Sequence, residues 1–201
     1  SALALTGIRA REHASGATST ESAGNSRGQG LVAWAAEARE GLRVAFADPA
    51  LRALAGVEAA LFSAFGVFMA CYTLFAAREL ALPTGPLGMV YALGGAGSLV
   101  AALVAPGLAA RIGVRACLLG GLSLGAAGLG LAVLAPRGAP AVALSMLALQ
   151  QLVGDGGWTL FLVHAESLRM RLAPAGSRAR IAAGASALTV LARLAGAALA
   201  A

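Results

Sequence analysis

The chain has 201 residues, of which 59% are hydrophobic and 12% are charged, and its mean hydropathy is +0.80. This composition excludes a soluble domain, because its apolar content is high and its charged fraction is only about half of the quarter that is typical of a soluble chain. The net charge of +6 comes from 15 arginines, with no lysine, against 9 acidic residues. The arginines flank apolar stretches and have no aromatic residues interleaved among them, which argues against a nucleic-acid partner.

The beginning of the chain is its most polar part. Residues 1–7 are interpreted as the end of a preceding transmembrane helix, and residues 8–52 as a cytoplasmic central loop. Within this loop, residues 14–30 are rich in Ser, Gly and Thr, which is typical of a flexible linker. Residues 31–47 carry apolar side chains at helical spacing, which predicts an amphipathic helix. This helix lies either at the membrane interface or packed on the membrane domain.

Five apolar stretches follow, and a helix needs about 20 mostly apolar residues to cross a bilayer. Asp48 and Pro49 predict the start of the first helix, since Asp caps a helix well and Pro suits its first position. The predicted spans are about 53–77, 87–110, 116–135, 141–164 and 181–201. We therefore predict an all-α membrane protein, in which residues 53–201 form a transmembrane helix bundle of five full spans after the end of a sixth.

The arginines predict the orientation of this bundle. Twelve lie before the first span, between the second and third spans, or between the fourth and fifth. Only Arg78 and Arg137 lie in the other two connections, and Arg193 lies inside the last span. Cytoplasmic loops are the ones enriched in Lys and Arg. The segment 8–52 and the connections 111–115 and 166–180 are therefore predicted to be cytoplasmic.

Polar residues deep in the spans are the candidates for a transport pathway. Asp155 lies in the fourth span among three glycines, and a carboxylate at that depth must face a cavity, have a partner or be protonated. It either binds substrate or protons, or serves as a hinge bonded to neighbouring helices. Arg193, at similar depth, is a candidate ion partner, and the two side chains are predicted to approach each other or to share one polar cavity. Gln150 and Gln151 precede Asp155 by about one turn, and one of them is expected to face the same cavity.

Three other ionisable residues lie nearer the predicted cytoplasmic ends of the spans. Glu58 is about two turns inside the first span, where it either gates access or forms a cap or an interface salt bridge. His164 and Glu166 lie at the inner mouth of the fourth span. They are interpreted as interface residues, with a proton relay as the alternative.

Small residues inside the spans predict close helix packing. Glycines are frequent in the second and third spans, where Gly121 and Gly125 share one helix face, and small residues let membrane helices approach closely. The same glycines would also allow the helices to rock or bend. Cys71 and Cys117 fall in or beside spans and are interpreted as packing residues. They have no metal-ligand spacing, and we predict neither a metal site nor a cofactor.

One connection resembles a known loop. Residues 108–115 read LAARIGVR, which resembles the signature G-x-L-A-D-R-x-G-x-R of the major facilitator superfamily. Pro106 stands where the first Gly of the signature belongs, and Ala110 replaces its acidic residue. The resemblance implies a gating loop made of Arg111, Gly113 and Arg115; the two arginines are equally interpretable as anchors that flank the membrane.

Two further segments resemble exporters of the drug and siderophore type within this superfamily. Residues 153–180 are similar to the end of helix ten and the loop that follows it, through Val153–Thr159, Ser167–Arg169, Pro174 and Arg178–Arg180. Residues 40–52 are similar to the approach to helix seven. This register implies that the chain holds helices seven to eleven of a C-terminal half. The missing N-terminal half of the same transporter would then be its partner, together with helix twelve.

The resemblance implies a secondary active transporter fragment in the cell inner (plasma) membrane, with the lipid bilayer and a small-molecule substrate as its other partners. We expect an exporter of small amphipathic molecules, which works by rocking two helix bundles about a mid-membrane site. A non-transporting membrane scaffold is the first alternative. An intramembrane enzyme is a weaker one, because the sequence contains neither G-x-S-x-G nor H-E-x-x-H; no catalytic residue is predicted.

The predicted orientation can be tested by single-cysteine labelling with a membrane-impermeant reagent in intact cells. In a variant without Cys71 and Cys117, a cysteine at Ala175 should stay unlabelled, because its connection is predicted to be cytoplasmic. A cysteine at Arg137 should be labelled from outside. Labelling at position 175 in intact cells would contradict the topology.

Overall fold

The computed structural model describes residues 23–80, 82–174 and 176–200, and its regular elements there are all helical. The helices are α1 Ala23–Ala47, α2 Pro49–Leu74 with a π-helical end Phe75–Glu79, α3 Thr84–Ile112, α4 Val114–Val133, α5 Pro140–Leu149, α6 Gly156–Leu172 and α7 Arg178–Leu199. A π-helical segment, Gln150–Asp155, joins α5 to α6. The prediction of an all-α membrane protein is confirmed.

Within the described part of the chain, four helices are long and apolar enough to cross a membrane: Pro49–Glu79, Gly85–Ile112, Val114–Val133 and Arg178–Leu199. The remaining predicted span, about 141–164, lies within the continuous helical path from α5 through the π segment to α6. The break in regular α-helical geometry falls at the buried glutamines and Asp155.

The first helix begins earlier than predicted. Residues 23–30 belong to α1 and are not a linker, because a helix that has nucleated extends at little cost per residue. The predicted linker residues 14–22 and the apolar residues 1–7 lie outside the described part of the chain. The start of α2 is as expected: Asp48 Oδ1 accepts hydrogen bonds from the backbone N–H groups of Ala50 at 2.8 Å and Leu51 at 2.9 Å.

The chain divides by its contacts after Ala36, and all packing described below belongs to the unit Glu37–Ala201. In this unit, the second half of α1 packs on the start of α7. A Cβ atom added at Gly184 would lie 2.8 Å from the carbonyl oxygen of Ala38. Residues 38–42 of α1 therefore pack on the helical bundle.

The exposed face of this part of α1 carries an ion pair between Glu40 and Arg43, one turn apart. The hydrogen bond from Arg43 lowers the pKa of the Glu40 carboxyl from its usual value. Because both groups are in solvent, this pair supports the helix locally and contributes little to the fold.

Helices α2 and α7 cross with their backbones in contact. Gly66 of α2 faces the backbone carbonyl of Arg193, and Gly196 of α7 faces the backbone of Ser63. The Ser63 hydroxyl donates a hydrogen bond of 3.0 Å to the carbonyl of Ala192. Small residues at both faces allow this approach, as is usual for helices packed in lipid.

The helical path through α6 is held between α3 and α4 by glycine contacts. On the α3 side, Gly97 faces the carbonyl of Leu152. On the α4 side, a Cβ atom added at Gly128 would lie 2.6 Å from Gly154 Cα, and one added at Gly157 would lie 2.8 Å from the Gly121 carbonyl oxygen. The predicted use of span glycines for close packing is confirmed at these positions.

Short connections close the two ends of the bundle. Gly113 alone separates α3 from α4, with φ at 85°, a conformation that side-chain-bearing residues rarely adopt. At the other end, Arg137 donates a hydrogen bond of 2.9 Å to Glu79, which joins the two predicted outer connections. A cluster of buried residues that includes Tyr72, Val90 and Leu147 lies in the same region.

The close crossing of α2 and α7 predicts a large difference between two glycine substitutions in α2. Gly66→Ala should lower thermal stability in detergent, because its Cβ meets the α7 backbone and such overpacking costs about 1–3 kcal/mol. Gly56→Ala, where an added Cβ meets nothing within 4 Å, should be neutral or stabilising, by up to about 1 kcal/mol. Equal melting temperatures for the two variants would be incompatible with this crossing.

Candidate functional site

Three helices bring an arginine and three aromatic side chains together. Phe62 and Phe65 lie one turn apart on α2, and Trp158 of α6 stacks on Phe65 with ring centroids 5.4 Å apart and an interplanar angle of 14°. Trp158 also meets Phe62 edge to face, at 5.2 Å. The guanidinium carbon of Arg193, on α7, lies 5.2 Å from the Phe62 ring centroid and 5.4 Å from that of Phe65. We call Phe62, Phe65 and Trp158 the aromatic cluster.

Two aromatic rings stabilise the Arg193 charge. A cation over an aromatic face gains about 0.5–2 kcal/mol. An arginine at the centre of a span costs about 2.5–3.5 kcal/mol on insertion scales. The ion pairs among the described residues do not include Arg193, which is exposed. Among the described residues, Arg193 is therefore a positive charge that faces aromatic rings and has no carboxylate partner.

The predicted ion pair between Asp155 and Arg193 is wrong. The Asp155 carboxylate lies against Gly94 of α3, so closely that a Cβ atom at that position would collide with it. Arg193 instead lies over the α2 rings. Because the two side chains turn toward different neighbouring helices, similar depth in the membrane does not bring them together. Their roles in a transport pathway remain predictions.

The π-helical segment directs two glutamines to two different sides. Gln150 and Gln151 are each 3% exposed, and their amide oxygens accept no hydrogen bond from the described residues. Gln150 lines a pocket with Asp155, which confirms that one glutamine shares the cavity of that carboxyl group. The Gln151 amide lies beside Gly94, next to the carboxylate of Asp155. Such single π turns within α-helices are frequent at functional sites.

The pocket has a volume of about 160 Å³ and lies between α2, α4 and α6. Its walls are mostly apolar, with the aromatic rings of Phe65, Phe68 and Trp158 on one side and Gly121 and Gly125 of α4 on the other. Gln150 and Asp155 are its polar residues. A pocket with apolar walls and a few polar groups is the usual form of a small-molecule site.

Glu58 does not line this pocket but belongs to a buried ion network. Arg169, near the end of α6, donates hydrogen bonds to both carboxylate oxygens of Glu58 in α2 and to Glu166, one turn away. Glu58 is 3% exposed and Arg169 is 8% exposed. Of the two roles considered for Glu58, the interface salt bridge is confirmed. The buried position of Arg169 was not anticipated, because its sequence context is that of a cytoplasmic anchor.

The remaining predicted residues lie apart from the pocket lining. Arg111, Gly113 and Arg115 surround the junction of α3 and α4, where both arginines are exposed. The gating role of these three residues remains a prediction. His164 is buried in α6, and its Nε2 atom has no hydrogen-bond partner among the described residues.

The aromatic cluster is the part of the site that the sequence analysis missed. A signal for it was present, because Phe62, Phe65, Phe68 and Tyr72 recur at spacings of three and four residues in α2. That spacing places them along one side of the helix. It carries no information about Trp158, which joins them from a helix almost a hundred residues later in the chain.

Comparison with known proteins gives one match. A family model described as MFS/sugar transport protein matches residues 17–198, which is nearly the whole chain. No curated protein and no solved structure matches it significantly.

The buried ion network predicts that Arg169 matters far more for stability than its neighbour Arg171. Arg169→Gln leaves Glu58 buried without its cation, and breaking a buried pair in this way typically costs about 3–5 kcal/mol. Arg171→Gln removes an exposed arginine that takes part in none of the ion pairs among the described residues, and should change stability little. Thermal unfolding in detergent measures both, and similar losses for the two variants would refute the role of the network.

Proposed function

This chain belongs to the MFS/sugar transport protein family, a family of transporters and not of enzymes, and from this premise we propose that it exports small amphipathic molecules by alternating access. The chain is a multi-pass membrane protein. In the proposal its membrane is the cell inner membrane, and its helices form one of two bundles. The other bundle is the N-terminal half that the sequence resemblance implies.

The observation that carries the proposal is the joint position of the pocket and the aromatic cluster. Phe65 lies near the middle of the apolar helix Pro49–Glu79 and contributes to both. Secondary transporters bind their substrates near the middle of the bilayer, between bundles. The apolar walls suit the apolar body of an amphipathic molecule, and the side chains of Asp155 and Gln150 suit its polar end.

The packing around α6 supports the conformational part of the proposal. The π-helical segment carries Asp155 and is flanked by glycine contacts on two sides, from α3 and from α4. Ser98 of α3 also donates a hydrogen bond of 3.4 Å to the Asp155 carbonyl. Where helices touch through glycines, no interlocked side chains oppose small sliding movements of one helix along another. A movement of Asp155 can therefore shift both α3 and α4.

The direction of transport rests on the similarity of residues 153–180 to exporters of the drug and siderophore type. This segment contains Asp155 and Trp158 and ends at the start of α7. We therefore propose export. Dye uptake in the test below would reverse this assignment. A non-transporting scaffold would leave the distribution of any substrate across the membrane unchanged.

The test uses the complete reading frame that encodes this chain, expressed in cells that lack their main exporters. Cells are loaded with fluorescent amphipathic dyes of negative, zero and positive charge, and dye loss is followed over time. Asp155→Asn should slow the loss of the exported dye severalfold at unchanged expression. No ion pair joins Asp155 to another described residue, and removing a mid-membrane charge should not destabilise its helix.

The matched control is Glu79→Gln, the same carboxylate-to-amide change in an exposed ion pair at the predicted outer end. Exposed pairs contribute about 0–1 kcal/mol, so this variant should export at the normal rate. Identical dye loss with and without the transporter, for every dye, would argue for the scaffold. Normal export by Asp155→Asn would place the site away from this carboxylate.

A further inference from the structure

Arg193, unlike Arg169, has no carboxylate beside it among the described residues. Arg169, in the same bundle, has two acidic partners, Glu58 and Glu166. Arg193 has only the faces of Phe62 and Phe65. Charged residues within membrane spans almost always have a partner and mark substrate or ion pathways.

We propose that the missing partner of Arg193 is an anionic group of the transported molecule: a carboxylate, sulfonate or phosphate attached to an aromatic or other flat apolar body. This inference rests on the proposed transport function and names the chemical class of the substrate. It makes Arg193 a binding residue for the anion and the aromatic cluster a stacking surface for the apolar body.

The backbone around Arg193 is held firmly enough to position such a group. The Ser63 hydroxyl bonds to the carbonyl of Ala192, the residue before Arg193. The Arg193 carbonyl itself lies against Gly66, where the two helices touch. The start of the side chain is therefore fixed by the crossing of α2 and α7. A pre-positioned donor loses little freedom when it binds a ligand.

The contact with the rings leaves the hydrogen-bonding capacity of the guanidinium available. A cation–π contact uses the positive charge over the ring face, whereas the five N–H donors of arginine lie in the plane of the guanidinium. No hydrogen bond from Arg193 to a described side chain or carbonyl competes for them. Two parallel N–H donors match the geometry of a carboxylate or phosphate.

The surroundings also select the rest of the ligand. Trp158 and Phe65 form a stacked pair beside the guanidinium, and both are only half-buried. A flat apolar group can extend this stack. A cationic ligand is disfavoured at the same place, because Arg193 would repel it. The carboxylate of Asp155 lies against Gly94 on α3 and forms no ion pair with the arginine.

A phospholipid headgroup offers the same anionic chemistry as a soluble substrate. Arg193 packs against Gly66, near the middle of the apolar helix Pro49–Glu79, whereas headgroups lie at the membrane surfaces. This depth favours the substrate as the source of the anion, and the experiment separates the two sources.

The test is equilibrium binding of radiolabelled 1-naphthoate to the purified full-length transporter in a neutral detergent. Competitors of the same shape are 1-naphthylmethanol, which is neutral, and 1-naphthylmethylammonium, which is cationic. Naphthoate should bind saturably, and both competitors should displace it at least about tenfold less well than unlabelled naphthoate, because loss of a charged hydrogen-bonded partner is costly. Equal displacement by all three would overturn the inference without any mutation.

The variants test the residue. Arg193→Gln should weaken naphthoate binding about tenfold or more, and Arg193→Lys, which keeps the charge, should restore part of the affinity. Arg137→Gln, which removes an exposed arginine in a predicted outer connection, should bind as the wild type does. Unchanged affinity in Arg193→Gln would also overturn the inference. If the glutamine variant does not fold, the role of Arg193 is tested by Arg193→Lys together with the competitor series.

Two further arms separate this inference from the proposed function and from lipid binding. Export of a neutral or cationic dye by a protein that does not bind naphthoate would uphold transport and overturn the anion site. Arg193-dependent binding without any transport in vesicles would uphold the site and contradict the transport function. Displacement of naphthoate by phosphatidylglycerol, but not by phosphatidylcholine, would assign the site to a lipid headgroup and overturn the substrate assignment.

Discussion

The contact of glycine backbones between helices is the constraint on which the rest of this structure depends. In lipid, apolar side chains gain nothing by leaving their surroundings, so helices associate through close packing and hydrogen bonds. Here Gly66 and Gly196 bring α2 against α7, and Gly128 and Gly157 bring α4 against the path through α6. Each contact lets the backbones of two helices approach closely. The site inherits its geometry from these crossings.

Two arginines in the bundle show two ways of holding a charge away from water. Arg169 is paired with Glu58 and Glu166, and this network ties α2 to α6. Arg193 is placed over aromatic rings and stays exposed. The first arrangement is suited to holding two helices together. The second leaves a charge that a ligand can meet, and this difference is the physical basis for assigning them different roles.

The π-helical segment connects packing with the site. A π turn holds one residue more than an α turn, so the residues after it are rotated relative to those before. In this chain the segment turns Gln150 toward the pocket and Gln151 toward Gly94, and it ends at Asp155. Both amide oxygens are buried without a partner among the described residues. The segment that holds these two unpaired amide oxygens is thus the one packed between α3 and α4.

The sequence by itself determined the fold class, the approximate spans, the cap at Asp48 and the superfamily. These follow from composition, apolar length and local motifs, which act over a few residues or add up along a stretch. It also identified the polar residues of the spans, because a charge in an apolar run is conspicuous. The predicted linker was too long. Residues 23–30 lack the helical spacing of apolar side chains from which a helix is predicted, although their backbone is helical.

The tertiary structure alone decided which polar residues meet. Asp155 and Arg193 have similar depth but turn toward α3 and α2, and only the rotation of each helix about its axis reveals this. Arg169 has the sequence context of a loop anchor, yet it is buried against Glu58, more than a hundred residues away. Trp158 joins Phe62 and Phe65 for the same reason. The depth and polarity of a residue follow from its own segment. Which side chains meet depends on the rotation and crossing of the helices, and these are set by glycine contacts between residues distant in the chain.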